Sequence, residues 1–232
     1  MPRTIKEWQC YFEEIAHDLA WCLMIRKVEA KTRELLSPLF EISEAARDCH
    51  HYAYGVERLM SLRRQCTMQP RFSNQVSLLR FLSDLRDDAR GPQTLHRGVF
   101  VAMSEVTRGM YQEGGEIQKF YAFVQPDEIF DRFSERWSQV LDTTKIENDI
   151  AAIKAAYEPI APYVDKSLAH LERAIATPPQ IRQGEMCIDI CWSLFEKYHP
   201  LIFGKPHMSE IGIGPEAGWE KAFDQLQIVK PG

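Results

Sequence analysis

Apolar residues recur at spacings of three and four along almost the whole chain, while the every-second-residue alternation of a half-buried strand is nearly absent. That period confines the chain to helices packed on helices. Trp8, Phe12, Ile15, Leu19 and Cys22 fall on one face of a first helix. Thr4 and Glu7 form a capping box at its start, and it is expected to run to about Leu36, with Pro38 as its stop. Ile42, Ala46, Cys49, Ala53, Val56 and Met60 trace a second helix to about Arg64, followed by a loop from Pro70 to Asn74. Leu78, Leu82 and Leu85 mark a third helix ended by Gly91-Pro92. Val99, Met103, Val106 and Met110 mark a fourth, stopped by Gly114-Gly115.

Phe120 to Val124 reads equally as a short strand or as part of a helix. Pro126-Asp127-Glu128 is a good helix start, with Phe130, Phe133, Trp137 and Leu141 as the expected buried side. Thr144 and Glu147 read as another capping box, ahead of the stripe Ile146, Ile150, Ile153, Tyr157 and Ile160, which Pro159 and Pro162 interrupt. A short helix over 165–174 is expected to bury Leu168, Leu171 and Ile175 before Pro178-Pro179. The last long helix is expected from about Gly184, with Cys187, Ile190, Cys191, Leu194 and Tyr198 inward and Gly204 and Pro206 as its stop. Trp219 and Phe223 suggest that the Gly-rich tail docks. The expected class is all-α: a helical bundle with an up-and-down core and a helical insertion.

A chain of 232 residues with 45% hydrophobic content buries a core without disulfides or metals, so one domain is expected. The six cysteines, Cys10, Cys22, Cys49, Cys66, Cys187 and Cys191, form no CxxC pair, and most sit at core-facing positions, so they read as reduced structural thiols. Cys187 and Cys191 lie near His199, but on an apolar face beside Ile190 and Leu194, so no metal is expected there. The opening Met-Pro-Arg-Thr lacks the look of a signal peptide, and no apolar run approaches the ~20 residues of a bilayer span. A cytoplasmic location without a membrane partner is expected. A net charge of −5 argues against a general nucleic-acid coat, yet leaves room for a local basic cleft. Phosphate-cradling glycine loops, zinc-protease strings and dinucleotide fingerprints are missing from the sequence.

The run from Ile160 to Arg173, IAPYVDKSLAHLER, set between an amphipathic helix and a long C-terminal helix, resembles the signature turn of the HEPN superfamily. It is most similar to the branch associated with bacterial abortive infection. The resemblance implies a single HEPN-like domain over 1–232, with 91–141 as an insertion and 205–232 as a docked tail. It further implies a homodimer acting in a defence or toxin system, RNA as substrate, and a cognate antitoxin or nucleotidyltransferase as partner. The implied activity is a metal-independent ribonuclease without cofactor. In such a site a histidine moves the proton of a ribose hydroxyl and a cation steadies the phosphate.

Here the motif arginine would fall at Tyr163, Val164 or Asp165, none of which is arginine. Lys166, one helical turn before His170, is the nearest cation, and it offers a point charge in place of a planar fork. The enzymatic reading assigns phosphate to Lys166, proton transfer to His170 and orientation to Asp165. The alternative is a catalytically degenerate module that binds RNA, a nucleotide or a protein, with His170 buried between Leu168 and Leu171. Three further features read as structural. Arg90 and His96 match the motif spacing only across a loop. His50 and His51, with Arg47 a turn away, read as solvated or capped although a cleft is conceivable. The run Arg63, Arg64, Arg71, Arg80, Arg86 and Arg90 reads as a solvated face paired with Asp84, Asp87 and Asp88.

Overall fold

The computed structural model describes residues 3–68, 76–91, 95–112, 125–169 and 179–204. Among them every regular element is helical, and no helix is long and apolar enough to cross a membrane. The elements are α1 (Ile5–Ile42), α2 (Glu44–Cys66), α3 (Leu78–Arg90), α4 (Arg97–Gln112), α5 (Pro126–Asp131), α6 (Thr143–Tyr157), the short α7 (Ala161–Tyr163) and α8 (Ile181–Phe203). A single π-helical turn, Val164–Ala169, follows α7 directly. Expectations for Pro70–Asn74, Arg71, Pro92, Gly114-Gly115, Phe120–Val124, His170, Leu171, Ile175, Pro178, Pro206, Trp219 and Phe223 lie outside the described residues.

The expected capping box opens α1. Thr4 Oγ1 accepts from Glu7 N–H, and the Glu7 carboxylate accepts from Thr4 N–H at 2.6 Å. Pro38, however, does not stop α1, which runs one further turn to Ile42. A proline withdraws the N–H that would reach the carbonyl four residues back, here that of Glu34. The Ser37 hydroxyl donates to that same carbonyl at 3.0 Å and repairs the gap. Ser43 then closes α1 and opens α2: its N–H donates to Leu39 O, and its hydroxyl accepts from Ala46 N–H.

With one residue between them, α1 and α2 form an antiparallel hairpin, tied by Trp21 to Glu57 at 3.1 Å and by Asp18 to Arg64 at 2.7 Å. Antiparallel to α1 on another side lies α8, with Gln9 donating to the Ile202 carbonyl at one end and Arg26 to Glu185 at the other. Aromatic rings fill the space between: Phe12 stacks on Phe195 at 4.7 Å and meets Phe81 of α3 edge-on at 4.9 Å. On α6, Asp149 accepts from both Lys197 Nζ and the fully buried Tyr198 hydroxyl of α8.

Three expectations are corrected here. The start of α6 is capped by Asp142, whose carboxylate accepts from Thr144 N–H at 2.8 Å, while Glu147 pairs with Arg90 in place of closing a box with Thr144. Gly184 does not begin α8, because the Gln183 side chain accepts from Gln180 N–H at 2.8 Å and lets the helix start at Ile181. Trp137 is 65% exposed and takes φ 65, a left-handed turn that swings its ring away from Phe130, Phe133 and Leu141. Among the described side chains of α4, Phe100 is fully buried and Val99 and Met103 are partly covered, Met103 packing against the core; those of Val106 and Met110 lie outside the described residues.

Within 91–141, the side chains of Leu95, Phe100, Phe130, Phe133 and Leu141 join the same core as α1, α3 and α8. Buried Arg97 fastens this stretch together, reaching Asp127, Asp131 and the Ser138 carbonyl. Gly204 ends α8 as expected, in the left-handed conformation at φ 66.

Candidate functional site

Two prolines build the turn that the sequence singles out. Pro159 and Pro162 supply no N–H, so α6 closes at Tyr157 and the chain restarts as α7 before widening into the π turn. Val164 anchors that turn in the core, and its N–H donates to Ile160 O at 3.1 Å. Asp165 is half-buried and Lys166 is exposed. His170 lies outside the described residues.

The last turn of α2 brings Arg63 across the bundle to this turn: its Nε donates to Asp165 Oδ1 at 2.7 Å. A guanidinium therefore sits one residue from Lys166, although no arginine occupies the motif position in sequence. Arg63 is thus no member of a solvated face. Of the rest of the basic run, Arg86 does pair with Asp87 at 2.8 Å, whereas the Arg80–Asp84 pair at 3.9 Å is half-buried and Arg64 and Arg90 pair with Asp18 and Glu147 in place of the expected acids. Beneath the Arg63–Asp165 pair is Tyr157, 6% exposed, whose hydroxyl has no hydrogen-bond partner among the described residues. Burial raises the phenol well above its usual range, and the charges of Asp165 and Cys66 raise it further.

Beside the turn a cavity of about 380 Å³ opens between α2, α7 and the start of α8. Val56, Leu59, Leu62 and Ile188 give it apolar walls. Tyr52 and Tyr163 supply rings, and His51, Arg58 and Glu185 a polar rim. Arg58, nearly buried, donates to Glu185 at 2.5 Å, and Arg26 donates to the other oxygen of the same carboxylate at 3.1 Å. Two glycines, Gly55 in α2 and Gly184 in α8, also line this cavity. A Cβ at Gly55 would meet nothing within 4 Å, and one at Gly184 only Leu59 Cδ2 at 3.9 Å.

Behind His51 lies the buried Glu29 carboxylate of α1, 3.7 Å from His51 Nδ1 and 3.6 Å from Arg33. His50 is neither solvated nor capped, contrary to expectation. Its ring is buried between Phe40 and Tyr54, and neither ring nitrogen has a hydrogen-bond partner among the described residues. Burial lowers its pKa against the opposing pull of Glu29. His51 does face a cleft, whereas Arg47 pairs outward with Glu44.

Among the described residues two groups bring potential metal ligands within 4.8 Å of one another: Glu29 with His50 and His51, and Cys66 with Cys187 and Cys191. Sequence reasoning weighed Cys187 and Cys191 without Cys66, which comes from a helix more than a hundred residues away. The signal was faint: Cys66 and Arg63 are three apart at the end of α2, so one helix end serves both the turn and the thiols.

No family model, curated protein or solved structure matches this chain.

Proposed function

We propose that the chain is a HEPN-like protein of a bacterial defence or toxin system whose turn at 164–170 cleaves RNA without a metal. The observation that carries this reading is the Arg63–Asp165 contact at 2.7 Å. It brings a guanidinium onto Asp165, the residue before Lys166, where it can answer for the arginine missing from the motif. Arg63 and Lys166 together give the phosphate two cations, one of them able to bond a phosphoryl oxygen through a fork. Asp165 orients Arg63, and His170 transfers the proton of the attacking ribose hydroxyl.

The test is cleavage of a mixed RNA pool by the purified chain in chelator, compared with three variants. His170→Ala is expected to cut the rate by at least about a hundredfold. Arg63→Ala and Lys166→Ala are each expected to cost roughly ten- to hundredfold, the worth of a charge-assisted bond. Cleavage by His170→Ala at the parent rate would sink the proposal.

The cavity favours a second reading, a degenerate module that binds a nucleotide or a similar flat, polar-edged molecule. Its volume falls within the ~300–1,000 Å³ of small-molecule sites. Each glycine in its wall costs a helix interior about 1 kcal/mol relative to alanine, and no neighbouring atom excludes a Cβ at either position. A parent chain that cleaves no RNA but binds a nucleotide saturably by calorimetry would favour this reading.

A further inference from the structure

Three of the four buried cysteines converge on one point. Cys66 Sγ on α2 lies 3.7 Å from Cys187 Sγ and 3.5 Å from Cys191 Sγ on α8. All three side chains are sealed from solvent, whereas Cys10 and Cys49 are exposed. Cys187 and Cys191 are one turn apart on the same face of α8, and Cys66 meets them from the facing helix, so the sulfurs form a triangle joining two elements. Zinc holds thiolates at about 2.3 Å, which sets neighbouring sulfurs of a tetrahedral site ~3.8 Å apart. The observed edges are close to that spacing without any rearrangement.

A second observation points to the same place. The Tyr157 hydroxyl of α6 is buried and has no hydrogen-bond partner among the described residues, and it lies within electrostatic reach of Cys66 and Cys187. A buried hydroxyl left unpaired is costly, and a cation held among the sulfurs gives its oxygen a positive charge to face.

We infer that Cys66, Cys187 and Cys191 form a binding site for a thiophilic divalent cation such as zinc, with the Tyr157 hydroxyl beside it. Each thiol releases its proton on binding, so affinity falls as the pH is lowered. Three thiolates and one divalent ion leave a single net negative charge, and Arg63 lies within electrostatic reach of Tyr157 on the side of the turn. The cation therefore clamps α2 to α8 beneath the turn. Cation binding at these thiols does not depend on RNA cleavage at the turn.

The test uses the full chain, reduced and stripped with chelator, titrated with cobalt(II) as a spectroscopic stand-in and then with zinc. One equivalent per chain is expected, with a thiolate-to-cobalt charge-transfer band that zinc abolishes. The band is expected to vanish in Cys66→Ala and Cys191→Ala and to persist in Cys10→Ala/Cys49→Ala. Helical circular dichroism of each variant separates loss of site from loss of fold. A second measurement needs no variant: zinc at a hundredfold excess over its Kd is expected to raise the Tm of the unmutated chain by roughly 5–10 °C. Absence of both the band and the shift, or a band that survives in helical Cys191→Ala, would overturn the site.

Discussion

His50 shows how a single side chain makes stability depend on pH. It lies between Phe40 and Tyr54 with both ring nitrogens buried and without a partner among the described residues, so the neutral ring is favoured over the imidazolium. Glu29 favours the charged form, and the charges of His51 and Arg33 oppose it, but burial dominates and the folded pKa lies below the ordinary value. The sign follows from proton counting. As pH falls through about 6.5 the unfolded chain takes up a proton that the folded chain refuses, so stability drops from there until the lowered folded pKa is reached. Urea unfolding at pH 7 and pH 5 is expected to show this loss, and His50→Leu is expected to have a smaller one. An equal loss in both chains would mean that other groups set the acid sensitivity. The sequence showed His50 only as one of two adjacent histidines on a charged helix. Whether a ring turns inward depends on α1 lying against it, which no spacing within α2 reveals.

At the scale of elements, the helices were legible because each carries its own period and most carry their own caps, as Thr4 with Glu7 at the start of α1 demonstrates. Boundaries failed where the deciding bond comes from a neighbouring side chain. Ser37 repairs the carbonyl that Pro38 strands, and Gln183 starts α8 three residues ahead of Gly184. Trp137 failed for a different reason: its place in an apolar period says nothing of the left-handed φ that turns it outward. In the candidate site, Asp165 and Lys166 were readable as a local string. Arg63 and Cys66 were not, since each meets partners about a hundred or more residues away. Gly184 gives an element-scale prediction. It sits inside α8 with only an ordinary contact awaiting a Cβ, so Gly184→Ala is expected to stabilise the chain by about 0.5–1 kcal/mol. The same methyl narrows the cavity. If the cavity binds a ligand, that variant is expected to be more stable and to bind more weakly, with thermal unfolding and titration calorimetry reading the two effects separately.

For the whole molecule the question is whether the turn contributes to holding the bundle together or is carried by it. The interior is held by rings from α1, α3 and α8, with Trp8, Phe12, Phe81, Phe195 and Tyr198 all buried in one cluster. The Arg63–Asp165 pair lies at its margin, with side chains 19% and 43% exposed. Exposed ion pairs contribute about 0.2–1 kcal/mol, whereas truncating a large core side chain costs about 3–5 kcal/mol. Arg63→Ala is therefore expected to lower stability by no more than about 1 kcal/mol, a Tm change of roughly 2–4 °C for a chain of this size. Phe12→Ala, by comparison, is expected to destabilise the bundle severely. If Arg63→Ala keeps its helical signal and nearly its parent Tm, any loss of RNA cleavage belongs to the phosphate site and not to unfolding. A drop as large as that of Phe12→Ala would instead make Arg63 a structural strut, with its contact to Asp165 serving to fasten the turn onto α2.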